Sequence, residues 1–170
     1  MRPLVCFIAT SLDGYIAGPN SEIDWLFTDQ DYGYRPFYAI VDTVVMGRKT
    51  YDLCLTFDEY PYPGIPNYVW SRSRHGKDEH ATFWSGDIAQ LLKELKQQEG
   101  KTIWLVGGSA LVGEAITHDL LDELIVSIHP LVLGDGVPLF PRGLPRTKFQ
   151  LVTSDSFNTG LVQLTYRRSR

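Results

Sequence analysis

Leu4 to Thr10 is an unbroken apolar run with β-branched and aromatic members, the pattern of a strand buried on both faces. Thr43 to Met46 and Thr102 to Val106 repeat it. Each of these two runs ends on glycine and then turns helical. Val44-Val45-Met46-Gly47-Arg48-Lys49-Thr50 predicts a strand leading into a short helix over 49–53, and Ile103-Trp104-Leu105-Val106-Gly107-Gly108-Ser109-Ala110 a strand leading into a helix that ends at about Thr117. Asp87 caps a further amphipathic helix with Ile88, Leu91, Leu92 and Leu95 on one face and a stop at Gly100. A weaker helical signal, with Phe37, Ile40 and Val41 apolar, runs within 29–41, and Pro36 sets its start near Arg35 or Pro36. Asn67–Trp70 and Ala81–Trp84 read as short strands separated by the polar stretch 71–80. Three late strands follow over 121–129, 148–153 and 161–167, the last two joined by the hairpin signal Asn158-Thr159-Gly160. Two segments read as irregular: 11–20 as a loop, where Asp13-Gly14 and Gly18-Pro19-Asn20 frame Tyr15-Ile16-Ala17, and the proline-rich 56–66 as an exposed connection.

Strands therefore alternate with helices and close on a hairpin, which predicts an α/β fold around a mixed, mostly parallel sheet covered on both faces, with a C-terminal antiparallel hairpin. At 170 residues a single domain over 1–170 is expected, large enough to bury a core without disulfides or metals. The net charge of -4 argues against the broad basic face of a nucleic-acid binder. Cys6 and Cys54 lie in apolar surroundings with no CxxC pair and no His/Cys spacing for a metal, so they read as structural thiols in a reducing compartment. The first apolar run is too short for a signal-peptide core or a membrane span, and a cytoplasmic protein without membrane contact is expected.

Glycine at the carboxyl end of a buried strand lets backbone approach an anion closely, and the helix that follows adds unsatisfied N–H groups and a favourable dipole. Two such turns suit a ligand with more than one phosphate, and a dinucleotide is the obvious class. Arg48, Lys49 and Thr50 would suit a pyrophosphate or ribose phosphate, although an ordinary exposed turn would carry the same residues. The adjacent Gly107 and Gly108 are the stronger signal, because two glycines flush with a buried strand cost entropy unless close approach is needed. Neither turn matches GxGxxG, so the usual Rossmann fingerprint is absent. Ser71-Arg72-Ser73-Arg74 follows the strand ending at Trp70, and its hydroxyls and guanidiniums would suit a phosphate monoester or simply form a solvated basic loop.

These residues, together with Ser11-Leu12-Asp13-Gly14-Tyr15-Ile16-Ala17-Gly18, Ile23-Asp24-Trp25, Tyr51 and the run from His129-Pro130 through Leu133-Gly134-Asp135-Gly136 to Leu139-Phe140, resemble the dihydrofolate reductase-like superfamily. Within it the chain is similar to stand-alone relatives of the reductase domain of riboflavin biosynthesis. The matching residues span nearly the whole chain. The resemblance implies the three-layer α/β/α fold of that superfamily and NADPH as cofactor. Ala9 and Thr10 would lie against the nicotinamide, with Ile16 to Gly18 as a flexible loop over the ring. Gly47, Arg48, Lys49 and Thr50 would hold the pyrophosphate and adenosine side, Ser71 and Arg72 the 2′-phosphate, and Gly107, Gly108, Ser109, Ala110 and Leu111 the pyrophosphate again.

On the substrate side, Asp31 falls near the position of the carboxylate that orients the pterin in dihydrofolate reductases, and Trp25 resembles the tryptophan before it. Asp31 would serve equally as a helix cap. Asp13 is a second candidate acid, with a turn role as its alternative. Tyr32, Tyr34, Phe37 and Tyr38 would form an aromatic substrate wall or ordinary core. The zinc deaminase patterns H-x-E and P-C-x-x-C are absent. The resemblance thus implies a reductase passing hydride from NADPH to a small pyrimidine or pteridine, as 5-amino-6-(5-phosphoribosylamino)uracil reductase does. The alternatives are dihydrofolate reductase activity and a non-catalytic module binding NADPH or flavin. Relatives of this type pair as homodimers, and the hairpin over 148–167 offers an edge for such pairing.

Overall fold

The structure, a computed structural model, describes residues 1–169; Arg170, the last residue of the expected domain, lies outside them. Eleven strands and four helices follow in the order β1 (Leu4–Thr10), β2 (Tyr15–Ala17), α1 (Tyr34–Tyr38), β3 (Val41–Gly47), α2 (Arg48–Cys54), β4 (Asn67–Trp70), β5 (Gly76–Lys77), β6 (Thr82–Trp84), α3 (Ile88–Gln97), β7 (Thr102–Gly107), α4 (Ser109–Thr117), β8 (Glu123–Ile128), β9 (Val137–Pro138), β10 (Phe149–Ser156) and β11 (Val162–Arg168). Nine strands form one sheet in the order β10-β11-β8-β1-β7-β3-β4-β6-β5. The central run from β8 to β6 is parallel throughout, while β5, β11 and β10 pair antiparallel at the two ends. This is the mixed, mostly parallel α/β sheet that the alternation of strands and helices predicts, closed by the antiparallel hairpin β10–β11.

Apolar residues cover both faces because the central strands are apolar at successive positions, and successive side chains point to opposite faces. Leu4 and Cys6 of β1 pack with Leu91, Leu92 and Leu95 of α3 and Leu111, Val112 and Ala115 of α4. Val5 joins the opposite layer with Phe37 of α1, Tyr51 and Cys54 of α2 and Trp104 of β7. Asp87 caps α3 as its position predicts, its Oδ1 accepting the Ala89 N–H at 2.8 Å. Both cysteines are free, and burial pushes the Cys6 thiol up to about 12 and that of Cys54 up to about 11, far from a thiolate nucleophile.

Four local expectations differ from the structure. The helical signal within 29–41 yields only five residues, because Val41 leaves the helix to pair with Thr102 in the parallel ladder. Tyr15–Ala17 is a strand rather than a loop, paired antiparallel with β9 across a large sequence gap that no local pattern reveals. Within 71–80, Gly76 and Lys77 form the edge strand β5 against β6. The stretch 56–66 is partly internal: Tyr62 is buried, and the Asn67 amide donates to the carbonyls of Tyr62 and Ile65 at 3.1 and 2.7 Å.

Candidate active site

Strands β3 and β7 are neighbours with Met46 opposite Gly107, so the two glycine turns leave the sheet side by side. A Cβ built on Gly47 would stand 3.8 Å from the amide nitrogen of Gly108, and one built on Gly108 would stand 3.9 Å from Thr50 Oγ1. The turns therefore approach closely without touching, and any side chain at either glycine would occupy the space between them. Gly107 adopts φ +128, a conformation L side chains rarely take, and a Cβ there would meet Ile8 at 3.3 Å. The Gly107–Gly108 peptide is cis. Gly47 and Gly108 are the cap positions of α2 and α4, and neither helix receives a side-chain cap, so the first N–H groups of both are left without side-chain acceptors at the cap. Lys49 and Ala110 are exposed, Thr50 and Ser109 are half-buried, and Leu111 is buried in the α4 layer.

At the end of β4, Ser71 is buried and its Oγ accepts the backbone N–H of Arg74 at 3.1 Å. The guanidinium brought toward Arg48 is that of Arg74, not Arg72: Arg48 pairs with Asp52 at 2.8 Å, and Arg74 stands 3.7 Å from the other oxygen of the same carboxylate. Arg72 is exposed. The i,i+4 spacing of Arg48 and Asp52 was visible in the sequence, but their union with Arg74 depends on the parallel register that sets Gly47 opposite Trp70.

The loop after β1 is stapled to the segment before β9. Ser11 Oγ donates to Asp13 Oδ1 at 2.6 Å, and the Leu133 and Gly134 amides donate to the same carboxylate at 3.1 and 2.8 Å. The Ser11 hydroxyl foremost, then the Gly134 and Leu133 N–H groups, hold the Asp13 carboxyl below its usual range against a smaller desolvation penalty. Ile16 is half-buried in β2, and Gly18, its N–H bonded to the Glu22 carbonyl at 2.9 Å, is buried at the close of the turn. The expected flexible loop is thus tied by a two-stranded sheet and a carboxylate clasp. Beside it, Thr10, Ser11, Leu12 and Gly14 border an apolar cavity of about 410 Å³ whose remaining lining includes Val126, Phe140 and Leu164.

His129, buried at the end of β8, fastens the next segment. Its Nε2 accepts the Phe27 N–H at 3.1 Å and its Nδ1 lies 3.2 Å from the Ser127 carbonyl, which sets a neutral ring protonated on Nδ1. Burial lowers its pKa, opposed by the contacts with Ser127 and Thr10. Trp25 stacks edge-on against this ring at 5.1 Å and donates from Nε1 to the Glu22 carbonyl. Asp31, two residues before the N-cap Gly33, caps the first turn of α1 with its side chain: both its oxygens accept the Arg35 N–H, at 3.1 and 3.2 Å. Gln163 on β11 supports that turn, donating to the Tyr32 carbonyl at 2.9 Å and to Ser127 Oγ at 3.0 Å. Tyr34 and Tyr38 stack on each other at 5.7 Å and rest against Trp104, and the Tyr38 hydroxyl is buried without a partner among the described residues. Burial pushes the Tyr34 hydroxyl up to about 12, so it remains a hydrogen-bond donor at neutral pH.

The structure thus brings together the two glycine turns with Thr50, and separately Arg48 with the loop after Ser71. His129, Asp52 and Gln163 were not singled out as site residues from the sequence, although the His129-Pro130 pair was a signal for the first; Arg74 was offered only within the Ser71–Arg74 run, with Arg72 given the 2′-phosphate. Among the described residues no group of three or more His, Cys, Asp or Glu side chains could hold a metal ion, and no helix is long and apolar enough to cross a membrane.

The RibD C-terminal domain family model matches residues 2–163. YwjB of Bacillus subtilis (strain 168) is 39% identical over 173 residues, covering 99% of both chains. A crystal structure of a protein from Shewanella sp. PV-4, described as a putative riboflavin biosynthesis protein, superposes with a TM-score of 0.87 at 30% identity, covering 99% of this chain and all of that one. Dihydrofolate reductase from Enterococcus faecalis, solved with NADP(H), superposes with a TM-score of 0.75 at 18% identity over 99% of this chain and 97% of its own, a likeness of fold. With a family match running almost end to end on a sheet that carries both glycine turns at its carboxyl edge, the chain belongs to the RibD C-terminal domain family.

Proposed function

We propose that this protein is an NADPH-dependent reductase that transfers hydride to a C=N or carbonyl carbon of a small pyrimidine- or pteridine-type heterocycle. The observation that carries the reading is the close approach of the two glycine turns, where a Cβ on Gly47 would stand 3.8 Å from the Gly108 nitrogen, because paired glycine turns that each open a helix suit a phosphate-bearing ligand. Membership of the RibD C-terminal domain family and the NADP(H) bound to the Enterococcus faecalis enzyme of the same fold support the same class of cofactor.

In this reading Gly47, Lys49 and Thr50 hold one side of the pyrophosphate with Arg48 turned toward the adenosine side, and Gly107, Gly108 and the start of α4 hold the other. Ser71 and the arginine-bearing loop after it take the 2′-phosphate. Ala9 and Thr10, at the carboxyl end of β1, lie against the nicotinamide. When bound, NADPH supplies the hydride; the protein supplies position and electrostatics. Asp31 is the substrate-orienting carboxylate: it accepts one backbone N–H and a long Arg35 contact, leaving lone pairs for the N–H groups of a heterocycle. Asp13 has its carboxylate filled by three donors and acts here by fastening the loop. Trp25, Tyr34 and Tyr38 bound the substrate side with aromatic surface.

The protein acts as a homodimer in the same reading, with β10 as the pairing edge. Leu151 and Val152 on that strand are 51% and 45% exposed, and an uncovered apolar edge strand favours self-association.

The test is a titration with NADPH followed by intrinsic tryptophan fluorescence, then a screen of reducible pyrimidines and pteridines, dihydrofolate included, for loss of nicotinamide absorbance. Saturable quenching with turnover of at least one heterocycle is expected. Absence of NADPH binding overturns the reading, and tight binding without turnover across the screen replaces the reductase with a cofactor-binding module.

A further inference from the structure

Two arginines from different elements meet on one carboxylate. Arg48 Nη1 donates to Asp52 Oδ2 at 2.8 Å, one turn along α2, and Arg74 Nη1 stands 3.7 Å from Asp52 Oδ1. Arg48 opens α2 at the end of β3, and Arg74 follows Ser71 at the end of β4. Asp52 therefore bridges the carboxyl ends of two neighbouring strands, where the proposed adenosine side of the cofactor lies.

The partners of Arg74 are not equivalent. Its guanidinium sits 4.1 Å from the Phe83 ring centroid and 5.7 Å from that of Tyr51, with Nη2 3.4 Å from Asp78 Oδ2. Asp78 is committed elsewhere, accepting the Tyr51 hydroxyl at 2.6 Å and the Ala81 and His80 amides at 2.9 and 3.0 Å. It anchors Arg74 against the ring. Asp52, by contrast, pairs among the described residues with the two guanidiniums alone, and its side chain is 44% exposed. Half-exposed pairs of this kind are weak and exchange readily. Ser71 completes the arrangement: it is 4% exposed, and its Oγ accepts the Arg74 N–H, which leaves its hydroxyl proton to donate.

We infer that Asp52 is a specificity-determining residue whose carboxylate stands in for a phosphate monoester between Arg48 and Arg74, narrowing the preference for a 2′-phosphorylated nucleotide over one with a free 2′-hydroxyl. The inference rests on the cofactor reading proposed above. A guanidinium fork engages carboxylate and phosphate through the same coplanar donors, so a 2′-phosphate must displace Asp52 and then lie beside its negative charge. A nucleotide with only a hydroxyl there leaves both ion pairs in place. Neutralising Asp52 thus acts on one ligand and spares the other.

The experiment is calorimetric titration of the full chain with adenosine 2′,5′-bisphosphate and with 5′-AMP, comparing wild type with Asp52→Asn and, as a second neutral variant, Asp52→Ala. Both variants should bind the bisphosphate about fivefold more tightly at low salt, bind 5′-AMP as wild type does, and lose most of the gain in molar salt, where screening removes the repulsion. An unchanged ratio of the two affinities overturns the inference while leaving the cofactor reading intact. Weaker bisphosphate binding in both variants also overturns it, since Asp52 would then be aligning the arginines for the phosphate. If wild type binds neither nucleotide, the cofactor reading fails and the inference falls with it.

Discussion

Gly47 and Gly108 lie beside each other at the carboxyl ends of β3 and β7, and a Cβ on Gly47 would stand 3.8 Å from the Gly108 nitrogen. The gap is wide enough for a methyl and for the fold to tolerate one, since 3.8 Å is ordinary van der Waals contact. In the proposed reading a methyl there takes space that a bound phosphate would use. Gly47→Ala is therefore expected to weaken NADPH binding by about tenfold or more with little loss of stability. Gly107→Ala, placing a Cβ at φ +128 and 3.3 Å from Ile8, should instead cost about 1–3 kcal/mol of folding free energy. Fluorescence titration and urea denaturation of the two variants separate these effects; equal destabilisation by both would show that Gly47 serves the fold rather than the cleft.

Asp13 clasps the loop after β1 to Leu133 and Gly134. Its carboxyl is held below the usual range, so the clasp is fully present above the unfolded carboxylate pKa and is lost as pH falls through the lower folded value. Hydrogen exchange is expected to show the Leu133 and Gly134 amides protected at neutral pH and exposed on acidification. Asp13→Ala should raise their exchange at pH 7 by about tenfold. Unchanged protection in the variant would place the restraint in the β2–β9 pairing alone.

His129 adds a second loss of stability on acidification. Its folded pKa is depressed by burial, so the unfolded state takes up a proton first, and stability falls as pH drops from the unfolded value near 6.5 toward the folded one. Protonation of Nε2 also removes the acceptor of the Phe27 N–H. Trp25, edge-on to this ring, should report the change by fluorescence. His129→Ala, which orphans the Phe27 N–H, is expected to cost about 1–3 kcal/mol and to abolish that titration; a pH-independent wild-type signal would argue against the coupling.

Asp31 carries two jobs in this reading, capping α1 and orienting substrate. Loss of the cap in Asp31→Ala should cost about 1 kcal/mol. Asp31→Asn retains an acceptor for the Arg35 N–H but loses the charge, so its stability should lie near wild type while kcat/KM falls by about tenfold or more. Steady-state kinetics beside thermal melts decide the matter: full activity in Asp31→Asn assigns the residue to the helix alone.

The edge strand β10 makes the dimer testable. Leu151→Lys combined with Val152→Lys replaces two exposed apolar side chains with charges that oppose edge pairing. Sedimentation should show the wild-type chain at twice the monomer mass and the double variant as a folded monomer. A wild-type monomer at micromolar concentration would remove the homodimer from the proposal.

The sequence by itself determined the elements whose apolar period is local and strong. β1, β4, α3 and α4 appear where their patterns predict them, with Asp87 capping α3, because strand burial and helix amphipathicity are written within a few turns of chain. The two glycine turns were legible for the same reason, as glycine marks places where backbone must approach closely or take an unusual φ. The sequence could not decide which of those turns would meet or which cations would share a partner. That Gly47 lies beside Gly108, that Arg74 rather than Arg72 joins Arg48 on Asp52, and that Asp13 reaches Leu133 and Gly134 all follow from the parallel register of β3 with β7 and β4, and from the pairing of β2 with β9. Such contacts join residues far apart in the chain, and only the closed sheet brings them within bonding distance.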